Sequence, residues 1–193
     1  MNRLFNKILL RDTGWGPDRL PSNRQVDVVC VVFELLNFNT ILSRLDLKEL
    51  AEVMNDFYSK TSTIIMHSAG SVNEFSQQFV TCFYGMFEPQ VVSEHQVITA
   101  ARAVIDSVEE HRFHPEVGAG ICCDKILYGS FGSEHRLTFT GFGPAVSCAH
   151  NLSAKGPGVN VCEQFQRKSF PPFASSDLIK TVKHTPFCRP QIK

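Results

Sequence analysis

Residues 120–146 read GICCDKILYGSFGSEHRLTFTGFGPAV, and this segment gives the clearest indication of the fold. Residues 125–130 and 136–142 are β-prone runs on either side of Phe131-Gly132-Ser133, which predicts a hairpin-like pair of strands. Residues 116–123 predict a further strand just before this pair. Pro144 then opens a segment with helical spacing that runs to Leu152.

The segments upstream continue this alternation of strands and helices. Residues 26–33 form a nearly unbroken apolar run rich in valine, which is typical of a central strand buried on both faces. Apolar residues recur at helical spacing over 41–67 with a break near Asp46, and again over 93–111. Residues 71–76 and 79–84 predict a hairpin with a tight turn at Gln77 and Gln78. With a last strand over 159–162, the order β-α-α-β-β-α-β-β-α-β predicts an α+β fold: one mostly antiparallel sheet with helices on one face.

Composition limits the classes of function. The chain has 193 residues, 43% of them hydrophobic, which is typical of one globular domain with tails. Nineteen basic residues balance nineteen acidic ones, so the neutral chain lacks the excess positive charge of a nucleic-acid-binding protein. Because no apolar run approaches the roughly 18–20 residues of a membrane span, we expect no transmembrane segment.

The cysteines predict a reduced core. The seven are Cys30, Cys82, Cys122, Cys123, Cys148, Cys162 and Cys188. They lie mostly in apolar runs and lack the CxxC spacing of zinc sites. Neighbours on a strand point to opposite faces, which argues against a joint metal site at Cys122 and Cys123. We therefore expect reduced thiols in a reducing compartment, with no metal and no other cofactor.

Three ordered segments resemble the catalytic domain of class III nucleotidyl cyclases, the adenylate and guanylate cyclases. Residues 120–146 are similar to the family stretch GIxxGxVxxGxxGSxxRxxYTxxGxxVN. Residues 31–39 resemble the strand that carries the first metal ligand of the family, and residues 70–85 resemble its second hairpin. The resemblance spans residues 26–165 and implies the ferredoxin-like cyclase fold, with a mixed, mostly antiparallel sheet.

The sequence differs from the family at the two positions that bind metal ions. Two aspartates on neighbouring strands hold two magnesium ions in the family, and Glu34 and Gln78 stand at these positions. Because the amide of Gln78 is uncharged, the pair cannot offset the charge of two divalent cations. Glu34 also has a structural interpretation, as an acid at a strand end that interacts with a helix dipole.

Four further family positions are altered. The lysine and aspartate that recognise the base correspond to Glu74 and Thr138. The asparagine and arginine that stabilise the transition state correspond to Ser147 and Asn151. Cyclases of this family act as dimers in which one half supplies the metal ligands and the other half the remaining groups. This sequence differs from the family both at the metal ligands and at the base-recognition and transition-state residues. Pairing with an intact half would therefore not restore the family's site.

These departures predict a catalytically inactive cyclase-homology domain that serves as a structural or interaction subunit. We expect partners to be other protein subunits in a hetero-oligomer, in the cytoplasm and by association in a flagellar or cytoskeletal assembly. The alternative is a divergent cyclase or nucleotide-sensing domain that a partner chain completes. It would bind a triphosphate through Glu34 and the backbone amides of residues 37–40.

The segments outside residues 26–165 are the predicted partner-binding parts. In the N-terminal extension, residues 1–25, one helical face carries Leu4, Phe5, Ile8 and Leu9. The tail, residues 166–193, combines four prolines with Phe170, Phe173 and Phe187, a composition that suits extended docking on a partner. Residues 1–13 also carry basic residues with no acid before Asp12, so a mitochondrial presequence is the alternative interpretation of that segment.

Overall fold

The computed structural model describes residues 23–86, 92–133, 135–168 and 179–182 of the chain. The strands in these ranges are β1 (Arg24–Leu35), β2 (Ser71–Ser76), β3 (Phe79–Tyr84), β4 (Val117–Ser133), β5 (Arg136–Phe142), β6 (Gly158–Cys162) and β7 (Ile179–Val182). The helices are α1 (Phe38–Arg44), α2 (Leu47–His67), α3 (Glu94–Glu109), α4 (Pro144–Ser153) and α5 (Glu163–Lys168).

The strands form one sheet in the order β2-β3-β1-β4-β6-β7, and β5 pairs with the second half of β4. β1 runs antiparallel to both of its neighbours, β3 and β4, whereas β4 with β6 and β6 with β7 are parallel pairs. Cys30, Val31, Val32 and Phe33 of β1 are fully buried, as the unbroken apolar run predicted. The predicted α+β class with a mostly antiparallel sheet is confirmed.

The helices cover both faces of the sheet, which corrects the prediction that they share one face. Ser68, which follows α2, bonds through its hydroxyl to the Tyr84 hydroxyl of β3 at 2.7 Å, so α2 lies on the face of Tyr84. α4 lies on the other face, above Gly118 and Gly120 of β4. A Cβ atom at either glycine would overlap backbone carbonyl oxygens of α4, so only glycine permits this close approach.

Local sequence signals explain most element boundaries. The predicted break near Asp46 is the N-cap of α2, where the Asp46 side chain accepts hydrogen bonds from the backbone N–H groups of Lys48 and Glu49. The predicted hairpin has the expected strands, and Gln77 in its turn adopts φ 48°. No helix in the described ranges is both long enough and apolar enough to cross a bilayer.

Two regions differ from the sequence-based expectation. β4 is one continuous strand where two were predicted, because its first half pairs with β1 and β6 and its second half with β1 and β5. The sheet also extends into the segment that was expected to be a tail. Residues 179–182 form β7, which pairs in parallel with β6.

Candidate functional site

Glu34 and Gln78 lie side by side where β1 meets the β2–β3 hairpin. Glu34 pairs with Phe79 in the sheet register, and the backbone N–H of Leu35 donates to the Gln78 carbonyl oxygen at 2.9 Å. The carboxylate of Glu34 is half-buried and accepts a hydrogen bond from the Ser153 hydroxyl at 2.8 Å. The structure therefore places the backbones of the two positions that the resemblance assigned to metal binding on adjoining segments, with Glu34 directly opposite Phe79.

His150 of α4 lies on the same face of the sheet. Its ring meets the edge of the Phe79 ring at a centroid distance of 5.0 Å. Burial lowers the pKa of His150 below its ordinary value of 6.5, and the nearby carboxylates of Glu34 and Glu74 oppose this shift. His150 is therefore mainly neutral at pH 7.

The other family positions lie at the surface. Glu74 on β2, Thr138 on β5, and Ser147 and Asn151 on α4 are all exposed. Ser147 and Asn151 are one turn apart and so share a face of the helix. The strands β2 and β5 are linked by Asn73, whose side-chain amide donates to the Thr140 hydroxyl at 3.0 Å.

Comparison with known proteins gives distant relatives. Three uncharacterized mycobacterial proteins, one from Mycobacterium bovis and two from strains of Mycobacterium tuberculosis, are each 20% identical to the chain over 152 residues. The aligned region covers 77% of this chain but only 28% of each relative. No protein-family model matches the chain.

Solved structures give the decisive comparison. The adenylyl cyclase CyaB from P. aeruginosa superposes with a TM-score of 0.67 at 18% identity, covering 76% of this chain and 82% of that one. The guanylate cyclase domain of RhGC from Catenaria anguillulae, in complex with GTP, superposes with a TM-score of 0.65 at 16% identity, covering 75% and 82%. The chain has the nucleotidyl cyclase fold. The non-canonical dimeric guanylyl cyclase domain from Blastocladiella emersonii has the same fold, with a TM-score of 0.65 at 14% identity, covering 75% and 84%.

Within this cyclase fold, the groups around Glu34 do not suit the two magnesium ions that the family resemblance implies. Magnesium prefers carboxylate oxygens, and of the two metal positions only Glu34 carries a carboxylate, which already accepts the hydrogen bond of Ser153. Gln78 contributes an amide, and the phenyl ring of Phe79 is apolar. One carboxylate cannot neutralise two divalent cations, so no step of a reaction is assigned to metal ions here.

The polar groups at the N-terminus of α1 already form hydrogen bonds within the chain. The Asn37 side chain, at the N-cap of α1, accepts from the backbone N–H of Glu116 at 3.0 Å and donates to the His114 carbonyl oxygen at 3.2 Å. The backbone N–H groups of Thr40 and Ile41 both donate to the Asn37 carbonyl oxygen. These contacts leave fewer groups for a triphosphate than the sequence suggested for residues 37–40.

Nothing in the sequence indicated that His150 and Ser153 of α4 lie at this edge. His150 and Ser153 follow each other at i, i+3, and this spacing is too common in helices to identify a site. The predicted partner-binding residues of the two terminal segments lie outside the described residues. These are Leu4, Phe5, Ile8, Leu9, Phe170, Phe173 and Phe187.

The neutral state of His150 predicts a pH dependence of stability. Because its pKa is lowered in the folded chain, the unfolded chain takes up a proton first as the pH falls below about 6.5. The stabilising contribution is complete above that pH and is lost as the pH falls through the folded pKa. We expect His150→Gln to reduce the slope of the free energy of unfolding between pH 7.5 and 5, measured by urea denaturation.

The matched control is Asn151→Gln, which alters the same helix at an exposed, non-titrating position and should keep the wild-type slope. An unchanged slope in His150→Gln would show that the acids at Glu34 and Glu74 balance the effect of burial.

Proposed function

We propose that the chain is a catalytically inactive domain of the cyclase fold that serves as a structural or protein-interaction subunit of a larger assembly. The observation that carries this proposal is that only one of the two metal positions, Glu34, carries a carboxylate. Glu34 lies beside the uncharged Gln78 and is bonded by the chain's own Ser153. A polar group held by its own fold is better suited to a structural role than to binding a pair of metal ions.

The other half of the family's chemistry gives a second argument. The exposed side chains of Ser147 and Asn151 carry no positive charge with which to stabilise charge developing on a phosphoryl group. Glu74 places a negative charge where the resemblance implies a lysine. Glu74 would repel a triphosphate, and the uncharged side chains of Ser147 and Asn151 would not attract it electrostatically.

Exposed apolar side chains on the hairpin arms support an interaction role. Phe75 on β2 is 48% exposed and Phe142 on β5 is 55% exposed. Phe142 also packs edge-on against Phe131 of β4, with ring centroids 4.8 Å apart. Aromatic residues of this kind are enriched at protein interfaces, where burying them contributes affinity. A hetero-oligomer fits this surface because a degenerate site no longer requires the two-fold symmetry of an active cyclase dimer.

The terminal segments supply a second set of proposed binding residues. Leu4, Phe5, Ile8 and Leu9 would dock as a helical stripe, while Phe170, Phe173 and Phe187 would dock as an extended, proline-spaced strip. We propose a flagellar or other cytoskeletal assembly, because cyclase-type domains are associated with such structures. Two experiments test the proposal: a cyclase assay and the isolation of a stoichiometric partner complex.

We expect the tagged full chain, isolated from its own cells, to carry defined protein partners in fixed stoichiometry. Serine substitution of all four N-terminal apolar residues, or of the three tail phenylalanines, should reduce partner recovery by well over tenfold. Each buried aromatic side chain contributes about 2 kcal/mol, or roughly thirtyfold in affinity. Quantitative mass spectrometry of the purified complexes measures this loss.

The control is Leu47→Ser, at a position of α2 that is 82% exposed, which should retain the full complex. Retention of every partner by both variants would assign binding to the folded domain, and Phe142→Ser would then test the hairpin face. The absence of any stoichiometric partner would overturn the interaction role.

A further inference from the structure

Three cysteine thiols meet in the core, away from the Glu34 edge. Cys122 of β4, Cys148 of α4 and Cys162 of β6 have sulfur atoms that all lie within 4.8 Å of one another. All three residues are completely buried. Within the described residues this is the one cluster of three or more histidine, cysteine or acidic side chains with such spacing.

The sheet register explains why two of these thiols are neighbours. β4 and β6 are parallel, with Gly120 opposite Asn160 and Ile121 opposite Val161. The next position on each strand is a cysteine, so Cys122 and Cys162 stand side by side on one face. Adjacent central strands are rigid supports, which is what a preorganised site requires.

The third thiol arrives because α4 packs unusually close to β4. Gly118 and Gly120 point to the same face as Cys122, and neither carries a side chain that would hold the helix away. The buried face of α4 includes Cys148, which therefore lies over the pair from the strands. Three separate elements thus converge on one point, which no spacing of cysteines along the chain would reveal.

A backbone donor lies against the sulfur atom of Cys162. The backbone N–H of Phe165 points at the Cys162 sulfur atom, with an N to Sγ distance of 3.4 Å. Hydrogen bonds from backbone N–H groups to sulfur stabilise its negatively charged form. The N–H of Phe165 is therefore placed to donate to the Cys162 sulfur atom when that atom binds a metal ion.

We propose that Cys122, Cys148 and Cys162 bind one thiophilic metal ion, Cu(I), in a three-coordinate thiolate site. Metal–sulfur bonds of about 2.3 Å place three sulfur atoms in trigonal geometry about 4 Å apart, within the observed spacing. Binding replaces the three S–H protons, which leave to solvent, by three metal–sulfur bonds, with no change of oxidation state.

The number of ligands favours Cu(I) over Zn(II). Structural zinc sites are almost always four-coordinate, whereas soft thiolate ligands also select Cu(I). Three thiols lie within 4.8 Å of one another, whereas Cys123, which interacts with Cys162, is not within that distance of all three. Their complete burial keeps out the water that would complete a zinc site. The inference does not depend on whether the domain has cyclase activity.

The test is an anaerobic titration of the full chain with Cu(I) against a chromophoric Cu(I) chelator. All proteins carry Cys188→Ser, because Cys188 lies outside the described residues and could bind copper by itself. We expect one equivalent of Cu(I) per chain and an X-ray absorption spectrum with three sulfur neighbours. Cys148→Ser should weaken binding by about a hundredfold or more, since even residues that only support a metal ligand cost 10–100-fold.

Cys82→Ser is the matched control. Cys82 is also fully buried, but its partner in the sheet is Val31, one position from Cys30, so it points to the opposite face from Cys122. It should bind Cu(I) within about threefold of the parent chain, well inside the cost of losing a ligand.

Circular dichroism checks that each variant is folded. If Cys148→Ser is unfolded, the sulfur count in the spectrum of the parent chain decides the question. The proposal is overturned if the parent chain takes up no Cu(I) in the presence of the chelator, if the metal has fewer than three sulfur neighbours, or if Cys82→Ser and a folded Cys148→Ser lose affinity equally.

Discussion

We expect the purified full chain, given Mg²⁺ or Mn²⁺ with ATP or GTP, to form no cyclic nucleotide above background. The reason is the combined departure at the metal and transition-state positions. Removing one arginine that contacts a transferring phosphoryl group typically costs 10³–10⁵ in rate, and Asn151 stands where the resemblance implies that arginine. Gln78 removes a metal-binding charge as well, so the expected rate is below detection. Chromatographic separation of labelled product measures it.

An active adenylyl cyclase domain, assayed in parallel, serves as the positive control. Glu34→Ala separates real activity from contamination because it removes the only carboxylate at the two metal positions. A robust rate that disappears in Glu34→Ala would contradict the inactive assignment. If activity arises only when an isolated partner subunit is added, and Glu34→Ala abolishes it, the partner-completed cyclase is the correct interpretation.

Gly120→Ala should destabilise the fold by about 3 kcal/mol or more, the upper range for overpacking in a rigid core. The added Cβ would overlap the Ala149 carbonyl oxygen and approach the Ser153 backbone nitrogen. Backbone atoms of a helix cannot move aside as the end of a flexible side chain can, so α4 must shift as a unit. The free energy of unfolding, measured by urea denaturation, reports this cost.

Gly85→Ala is the matched control. Gly85 has φ 78°, and an added Cβ would meet only the Asp27 carbonyl oxygen, at 3.9 Å. Its cost should therefore be that of backbone strain alone, about 1–2 kcal/mol. If Gly120→Ala costs no more than Gly85→Ala, α4 does not pack on β4 as described. The Ser153–Glu34 hydrogen bond and the position of Cys148 would then also be wrong.

Several parts of the fold could be predicted because their signals are local. The apolar run of β1, the turn at Gln77 and Gln78, the cap at Asp46 and the helix start at Pro144 each depend on residues within one or two turns. The resemblance to cyclases added the long-range order of these elements. It also placed Glu34 and Gln78 on neighbouring strands, and in the structure the Gln78 carbonyl oxygen accepts a hydrogen bond from the backbone N–H of Leu35, the residue after Glu34.

Most of the helices and strands, the buried central strand and the residues at the family's six chemical positions could all be identified from the sequence. Only the tertiary structure decided that α4 lies on the opposite face from α2 and that Ser153 bonds to Glu34 across 119 positions of the chain. It also decided that Cys122, Cys148 and Cys162 meet. Periodicity and capping record interactions between near neighbours, whereas these contacts depend on strand register and on how closely a helix approaches two glycines. Contacts of that kind come from packing the whole domain, so no short stretch of sequence specifies them.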